Sequence, residues 1–375
     1  MPPLPSPRPG RARFGGVQAR GVLEVVDVRA EPEALRRPGW WALVGDFEGP
    51  VRAWRFAQVA AVGHAGAPGS DEPPPDEAPW HGPAAADWTT SLDEQAYVAG
   101  VTTVRERIRA GDVYQANLCR VLSAPALRGD AAGLARVLAA GNPAPYAGYI
   151  DVPPGPDDDG TWLVTASPEL FLAVSRRRVS SGPIKGTALE PAGLTDKDRA
   201  ENVMITDLVR NDLAQVCEPG TVRVDHLLAV ERHPGLTHLV STVSGRLAAA
   251  VIGAPDLWRR LLDATYPPGS VSGAPKSTAL RVIRELEPVP RGPYCGLVGW
   301  VRVSPGGAVR ARLAVGIRTF WWSDGALRFG TGAGITWGSD PRAEWAETEL
   351  KASRLVALAS GEGGVRRSGA WRSGR

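Results

Sequence analysis

The chain has 375 residues, 43% of them hydrophobic, and a formal net charge of +3. That length fits one large domain or two ordinary ones, with ample material for a core. Seven arginines and one glutamate fall in residues 1–13 and 361–375, which read as disordered tails, so the body is slightly acidic and a basic nucleic-acid face is not indicated.

No run of 18 apolar residues occurs, so no membrane-spanning helix is expected. The N-terminus lacks the apolar stretch of a secretory signal. Cys119, Cys217 and Cys295 are too widely spaced for a metal motif and point to a reducing, cytoplasmic setting. Residues 14–63 carry short runs at 22–28, 40–44 and 51–56 that predict strands. Residues 64–90 are rich in Pro, Gly, Asp and Glu and predict a long loop. Ser91 with Glu94 then predicts a capping box. Val98, Val101, Val104 and Ile108 follow at helical spacing, and Gly111 is the expected stop.

Further strands are predicted at 113–122, 162–165, 170–174, 221–224, 300–303, 311–322 and 327–330. Helices are predicted at 197–215, 254–262, 276–286 and 342–358. Grouped strands with helices between them argue for an α+β fold over 91–360, not a doubly wound sheet. Neither a dinucleotide-binding nor a P-loop glycine motif is present.

The candidate chemistry lies between these elements. Pro183-Ile184-Lys185-Gly186-Thr187 reads as loop, as does 180–182 before it. Its lysine is either a solvated charge or a buried nucleophile. On the helix at 197–215, Asp198 and Glu201 share a face; on that at 342–358, so do Glu344, Glu347 and Lys351. Each set alone is ordinarily a solvated stripe. Facing each other, they suit Mg2+, which takes a few carboxylates plus water and an anionic ligand. No His/Cys cluster suits zinc or iron. Thr331-Gly332-Ala333-Gly334 predicts a turn or a backbone nest for a small anion. Ser270 lies in the segment 269–276 that leads into a helix, and Tyr294 lies in a Gly/Pro turn. Arg318, if turned inward, needs a carboxylate partner. Together these suggest a small polycarboxylate ligand.

With 111–118, Ser167-Pro168-Glu169-Leu170-Phe171, 198–202, Arg210-Asn211-Asp212, His238-Leu239-Val240-Ser241, Gly273-Ala274-Pro275-Lys276, Ile317-Arg318-Thr319 and 344–351, this set resembles the chorismate-utilising enzymes. Within that family it is most similar to the large components of aminodeoxychorismate synthases. The resemblance runs from about 91 to 358 in order. It implies two antiparallel β-sheets packed face to face with helices outside, residues 14–63 adding strands to the same fold. It implies Mg2+ held by Glu201 and Glu347, with Asp198 and Glu344 close by. Arg318, Tyr294, Lys351 and the amides of Gly332, Ala333 and Gly334 would bind carboxylates. Gly186, Thr187 and Ser270 would line the substrate, and His238 would lie near the ring substituents.

Gln115 stands where water-adding members carry a basic lysine, and glutamine is no general base, so ammonia is the implied nucleophile. Lys185 stands where anthranilate synthases carry alanine. A deprotonated lysine attacking C2 of chorismate as the C4 hydroxyl leaves would give a covalent adduct, which ammonia opens at C4. The implied product is 4-amino-4-deoxychorismate, for 4-aminobenzoate and folate or a related secondary metabolite. A separate glutaminase subunit is the implied ammonia source. The alternatives are anthranilate synthase component I and an inactive chorismate-binding protein. Ala188 and Arg312 depart from the family pattern.

Overall fold

The computed structural model describes residues 6–62, 79–156, 158–188, 190–233, 236–361 and 372–373. The chain begins with β1 (Arg8–Phe14), β2 (Val17–Asp27), β3 (Gly39–Gly45), β4 (Val51–Ala61) and β5 (Thr89–Thr90). There follow α1 (Glu94–Arg109), β6 (Gln115–Pro125), α2 (Ala131–Gly141), β7 (Tyr146–Val152), β8 (Thr161–Ser167), β9 (Leu170–Ser175), β10 (Arg178–Gly182), β11 (Ile184–Ala188) and α3 (Asp196–Ala214). The hairpin β12 (Arg223–His233) and β13 (Leu236–Arg246) leads to α4 (Ala249–Ile252), α5 (Leu257–Thr265), β14 (Gly273–Ala274) and α6 (Lys276–Leu286). The last elements are β15 (Leu297–Val303), β16 (Val309–Val315), β17 (Thr319–Ser323), β18 (Ala326–Ile335), α7 (Pro341–Ala359) and β19 (Arg372–Ser373).

The strands form one continuous ladder. From one end it runs β12, β13, β10 with β11, β9, β16, β15, β3, β4 and β2. It continues through β1, β7, β8, β17, β18 and β6, which also pairs with β14 and β5. Every pairing is antiparallel except β5 with β19. The ladder folds back near β1 and β2 into two facing sheets. Trp40, Ala42, Val44, Trp54 and Phe56 from one meet Ala12, Phe14, Ile150, Val152 and Leu163 from the other in a single apolar cluster.

Helices cover the outer faces. Residues of α3 and α5 pack on the first sheet, α2 and α7 on the second, and α6 lies against β6 and β14. This is the expected α+β arrangement. The strand β3 shows why the sequence allows it: Trp40, Ala42 and Val44 face the other sheet while Trp41 and Leu43 lie under helices. A strand buried on both faces reads as one apolar run.

Several boundaries differ from the expectation. Residues 8–13 are a strand, not a tail: β1 pairs on both sides, Arg8 is ion-paired with Asp158, and Arg11 with Asp130 and Asp151. At the other end Gly361 is a turn and β19 pairs with β5, while the remainder of 361–375 lies outside the described residues. Residues 64–78 of the expected loop also lie outside them. The cap of α1 is Asp93, whose side chain accepts from the Ala96 amide; Ser91 Oγ instead accepts from the Val121 amide of β6. The helix does stop before Gly111, whose φ is +84°.

The expected strand at 311–322 is two strands, broken where Arg318 adopts a φ of +51°. The expected loops at 180–182 and 183–187 are β10 and β11, and α5 starts three residues late. The elements α2, β7 and most of the β12–β13 hairpin were not expected. Among the described residues the three cysteines are free and buried, and no helix is long and apolar enough to cross a membrane.

Candidate active site

The two ends of the ladder meet at the site. Lys185 on β11 and His238 on β13 belong to one end; Gln115 and Asn117 on β6 and Gly332 to Gly334 on β18 belong to the other. Lys185 Nζ lies 2.9 Å from the point a Cβ on Gly334 would occupy. Gln115 Nε2 and Asn117 Oδ1 converge on the same point. Any larger residue at 334 would push these groups apart.

Gly330, Gly332 and Gly334 alternate along β18, so all three present the same bare face. The result is a trough. The Tyr294 ring fills it at Gly330, Cys119 Sγ lies 2.5 Å from the missing Cβ of Gly332, and the Lys185 amine ends it at Gly334. The expected turn or nest is therefore incorrect. The segment is strand, and none of these glycines has a positive φ. It keeps one open edge, because β17 pairs only with the 326–329 part of β18. Lys351 Nζ donates to the Gly332 carbonyl there at 3.1 Å.

Local packing fixes Lys185. Gly186 has a φ of +88°, and a Cβ on it would stand 2.8 Å from Asp198 Cβ, so glycine lets β11 lie against the start of α3. Buried Asn202 of α3 donates to the Leu239 carbonyl of β13 at 2.9 Å and accepts from Ser241 Oγ. Beside Lys185 stands Glu169, in the turn between β8 and β9 and only 3% exposed. Burial pushes its carboxyl up to about 7, against hydrogen bonds from the Ser270 hydroxyl and the Ile184 amide and the nearby Lys185 charge. Sequence reasoning gave Glu169 no role; its signal was an acid set between apolar strand residues. It missed Arg291 as well. That buried guanidinium pairs with Glu287 and donates to the Asn117 and Val271 carbonyls, binding β6 to the turn that carries Ser270.

The acidic residues of α3 and α7 do come together. Lys197 Nζ is 3.1 Å from Glu344 Oε1 and 3.7 Å from Glu201 Oε1, so one ammonium spans both helices. Lys351 pairs with Glu347 at 2.6 Å. Burial raises the Glu201 carboxyl, and Lys185 and Lys197 offset this only in part. Burial also pushes Glu347 up, but Lys351, Lys197 and Lys185 outweigh it and hold the carboxyl below its usual value. Asp198 is otherwise engaged. Its Oδ2 accepts from the Thr195 amide at 2.8 Å and hydroxyl at 2.7 Å in a capping box, so it serves the helix end.

Among the described residues no three His, Cys, Asp or Glu side chains form a ready-made metal cage. The set still fits a magnesium ion. Glu201 Oε1 is buried without a hydrogen-bond partner, and the donors are hard oxygens that need water and an anionic ligand to complete the shell.

The remaining expected residues divide. Arg318 sits in the break between β16 and β17, burial lowers its pKa, and no ion pair to it occurs among the described residues. It therefore meets the condition for taking a ligand carboxylate. His238 is buried on β13, in register with Thr187 of β11. Ser270 reaches the site through Glu169. Tyr294 is 5% exposed beneath Gly330, and burial raises its hydroxyl well above the usual value, so it forms the floor of the trough.

The chain belongs to the chorismate-binding enzymes: the family model described as chorismate binding enzyme matches residues 50–357. Anthranilate synthase component 1 of Streptomyces coelicolor is 40% identical over 72% of this chain and 52% of its own length. Aminodeoxychorismate synthase component 1 of Klebsiella aerogenes is 36% identical over 72% of this chain and 59% of its own. The chain thus spans between half and two thirds of these curated relatives. The crystal structure of anthranilate synthase component I from Streptococcus pneumoniae superposes with a TM-score of 0.71 at 24% identity, over 95% of this chain and 93% of that one. That likeness establishes the two-sheet fold.

Proposed function

We propose that the protein aminates chorismate at C4, giving 4-amino-4-deoxychorismate, as the large component of an aminodeoxychorismate synthase supplied with ammonia by a separate glutaminase. The observation that carries this reading is Lys185 at the end of the glycine trough, beside a buried carboxyl whose pKa is about 7. The Lys185 amine passes a proton to Glu169 and attacks C2. The ring double bonds shift toward C4, and the C4 hydroxyl leaves as water with the proton of Glu169. Ammonia then adds at C4, the electron pairs shift back, and the C2–N bond breaks to release the lysine amine. The new C4 ammonium returns a proton to Glu169. Chorismate and ammonia have become the amine and water, with pyruvate retained.

Gln115 supports ammonia over water. It is 1% exposed, its Oε1 has no hydrogen-bond partner, and it is no base for activating water. Arg318 and Lys351 supply positive charge for the substrate carboxylates. Glu201, Glu347 and Glu344 would hold Mg2+, which would neutralise a substrate carboxylate and anchor it between α3 and α7.

A second reading, anthranilate synthesis by C2 amination with loss of pyruvate, is favoured by the 40% identity to the Streptomyces coelicolor protein. Incubation with chorismate, MgCl2 and ammonium, followed by mass spectrometry, separates the two. The expected product retains the enolpyruvyl group; fluorescent anthranilate with free pyruvate overturns the assignment. Lys185→Ala should lose most C4 amination, by about 10²-fold or more, and an unchanged rate and product would remove the covalent role.

A further inference from the structure

We propose that the Lys197 ammonium is a resident counter-ion of the carboxylate cluster between α3 and α7, and that it must leave before a divalent cation can bind. The inference rests on the metal reading above. Lys197 lies in the first turn of α3, one turn ahead of Glu201. Its Nζ donates to Glu344 Oε1 at 3.1 Å and stands 3.7 Å from Glu201 Oε1. Glu344 is only 3% exposed, and Glu201 Oε1 is likewise shut off from water.

Enclosed carboxylates without a counter-charge are costly, and Lys197 supplies one to both helices at once. Lys185 also offsets the charge of Glu201 and Glu347 from β11, but among the described residues it makes no ion pair with either, and Lys351 is engaged with Glu347 and the Gly332 carbonyl.

A dication taking Glu201 and Glu344 oxygens would stand within a few ångströms of that ammonium, where like charges repel strongly. Lys197 has a way out. Its side chain is 45% exposed at the start of the helix, on a flexible four-carbon stem. Cation entry is therefore an exchange. Two consequences follow: the helices stay together without metal, and metal affinity is reduced by the work of displacing the ammonium.

The test is a calorimetric titration of the full chain with MgCl2 at fixed pH and ionic strength. Lys197→Met keeps the side-chain length and removes the charge. It should bind Mg2+ about tenfold more tightly than the unmodified protein and melt at a lower temperature without metal. Lys197→Arg, which preserves the ion pairs, should retain the original affinity and guards against a folding defect in the methionine variant. Adding Glu201→Gln to Lys197→Met should abolish the gain. Equal or weaker binding by Lys197→Met, or a gain that survives Glu201→Gln, overturns the proposal. Absence of Mg2+ binding in every variant overturns it together with the metal reading, while the product assay decides C4 amination separately.

Discussion

Glu169 links protonation to stability and, in the proposed mechanism, to turnover. Its carboxyl sits at about 7 in the folded chain against an ordinary 4.5. Between those values the folded state holds a proton that the unfolded state has released. The contribution is fully present below about pH 4.5 and is lost as pH rises through about 7, up to about 3 kcal/mol in all. Glu169→Gln is permanently neutral, so its melting temperature should fall less than the parent's between about pH 5 and about pH 8. Identical melting profiles would show that Glu169 is not the titrating group. The same variant should lose about 10²–10⁴-fold in C4 amination, because it has no proton to give.

The residue scale also shows where sequence reasoning stopped. Glu201, Glu344 and Glu347 were legible because acidic groups on shared helix faces demand a partner, whereas Lys185, an ordinary loop lysine by itself, stood out only through the family resemblance. Asp198 was assigned to the metal because an i, i+3 carboxylate pair looks the same whether its first member binds a cation or caps the helix. The deciding neighbour was Thr195, three positions earlier, which completes the capping box. Glu169 had no such neighbour in sequence; Ser270 and Lys185 reach it only through the fold.

Among the elements, β18 and α7 form the wall of the site. Alternating glycines belong to a strand with one bare face, and the spacing of two at 330, 332 and 334 carried that information. The consecutive run from Thr331 to Gly334 drew attention to a turn instead. What holds α7 against this wall is Arg120 of β6. Its buried guanidinium is ion-paired with Glu349, donates to Thr348 Oγ1 at 3.1 Å, and lies 4.1 Å from the centre of the Trp345 ring. Arg120→Met strands the Glu349 carboxylate and should cost about 3–5 kcal/mol in urea unfolding. Because Glu344 and Glu347 ride on α7, Mg2+ dependence should weaken in parallel. Unchanged stability and unchanged Mg2+ dependence would show that α7 is held by its apolar face alone.

Across the whole molecule, the α+β class and the positions of α1, α3, α5, α6 and α7 were readable from periodicity but α2 was not, and neither was the ladder order, because strand partners depend on contacts far apart in sequence. The strand β1 was hidden for a simpler reason. Its three arginines resemble a solvated tail until Asp130, Asp151 and Asp158 are brought beside Arg8 and Arg11. It is also the strand that joins β2 to β7. Removing residues 1–14 should therefore expose two strand edges at the junction of the sheets, lower the melting temperature and broaden the transition seen by circular dichroism. A sharp transition at the original temperature would show that the sheets are held by packing alone.

The meeting of the ladder's two ends has a consequence in time. Lys185 and Gly334 face each other only when every strand between them is in place, and α7 follows both in the chain. Such non-local closure is slow to form. A chain emerging from the ribosome can lay down its early strands and still hold no working site until its last helix is free. Activity is then gained in a single late step, and an incomplete chain has no half-built centre with which to begin the reaction.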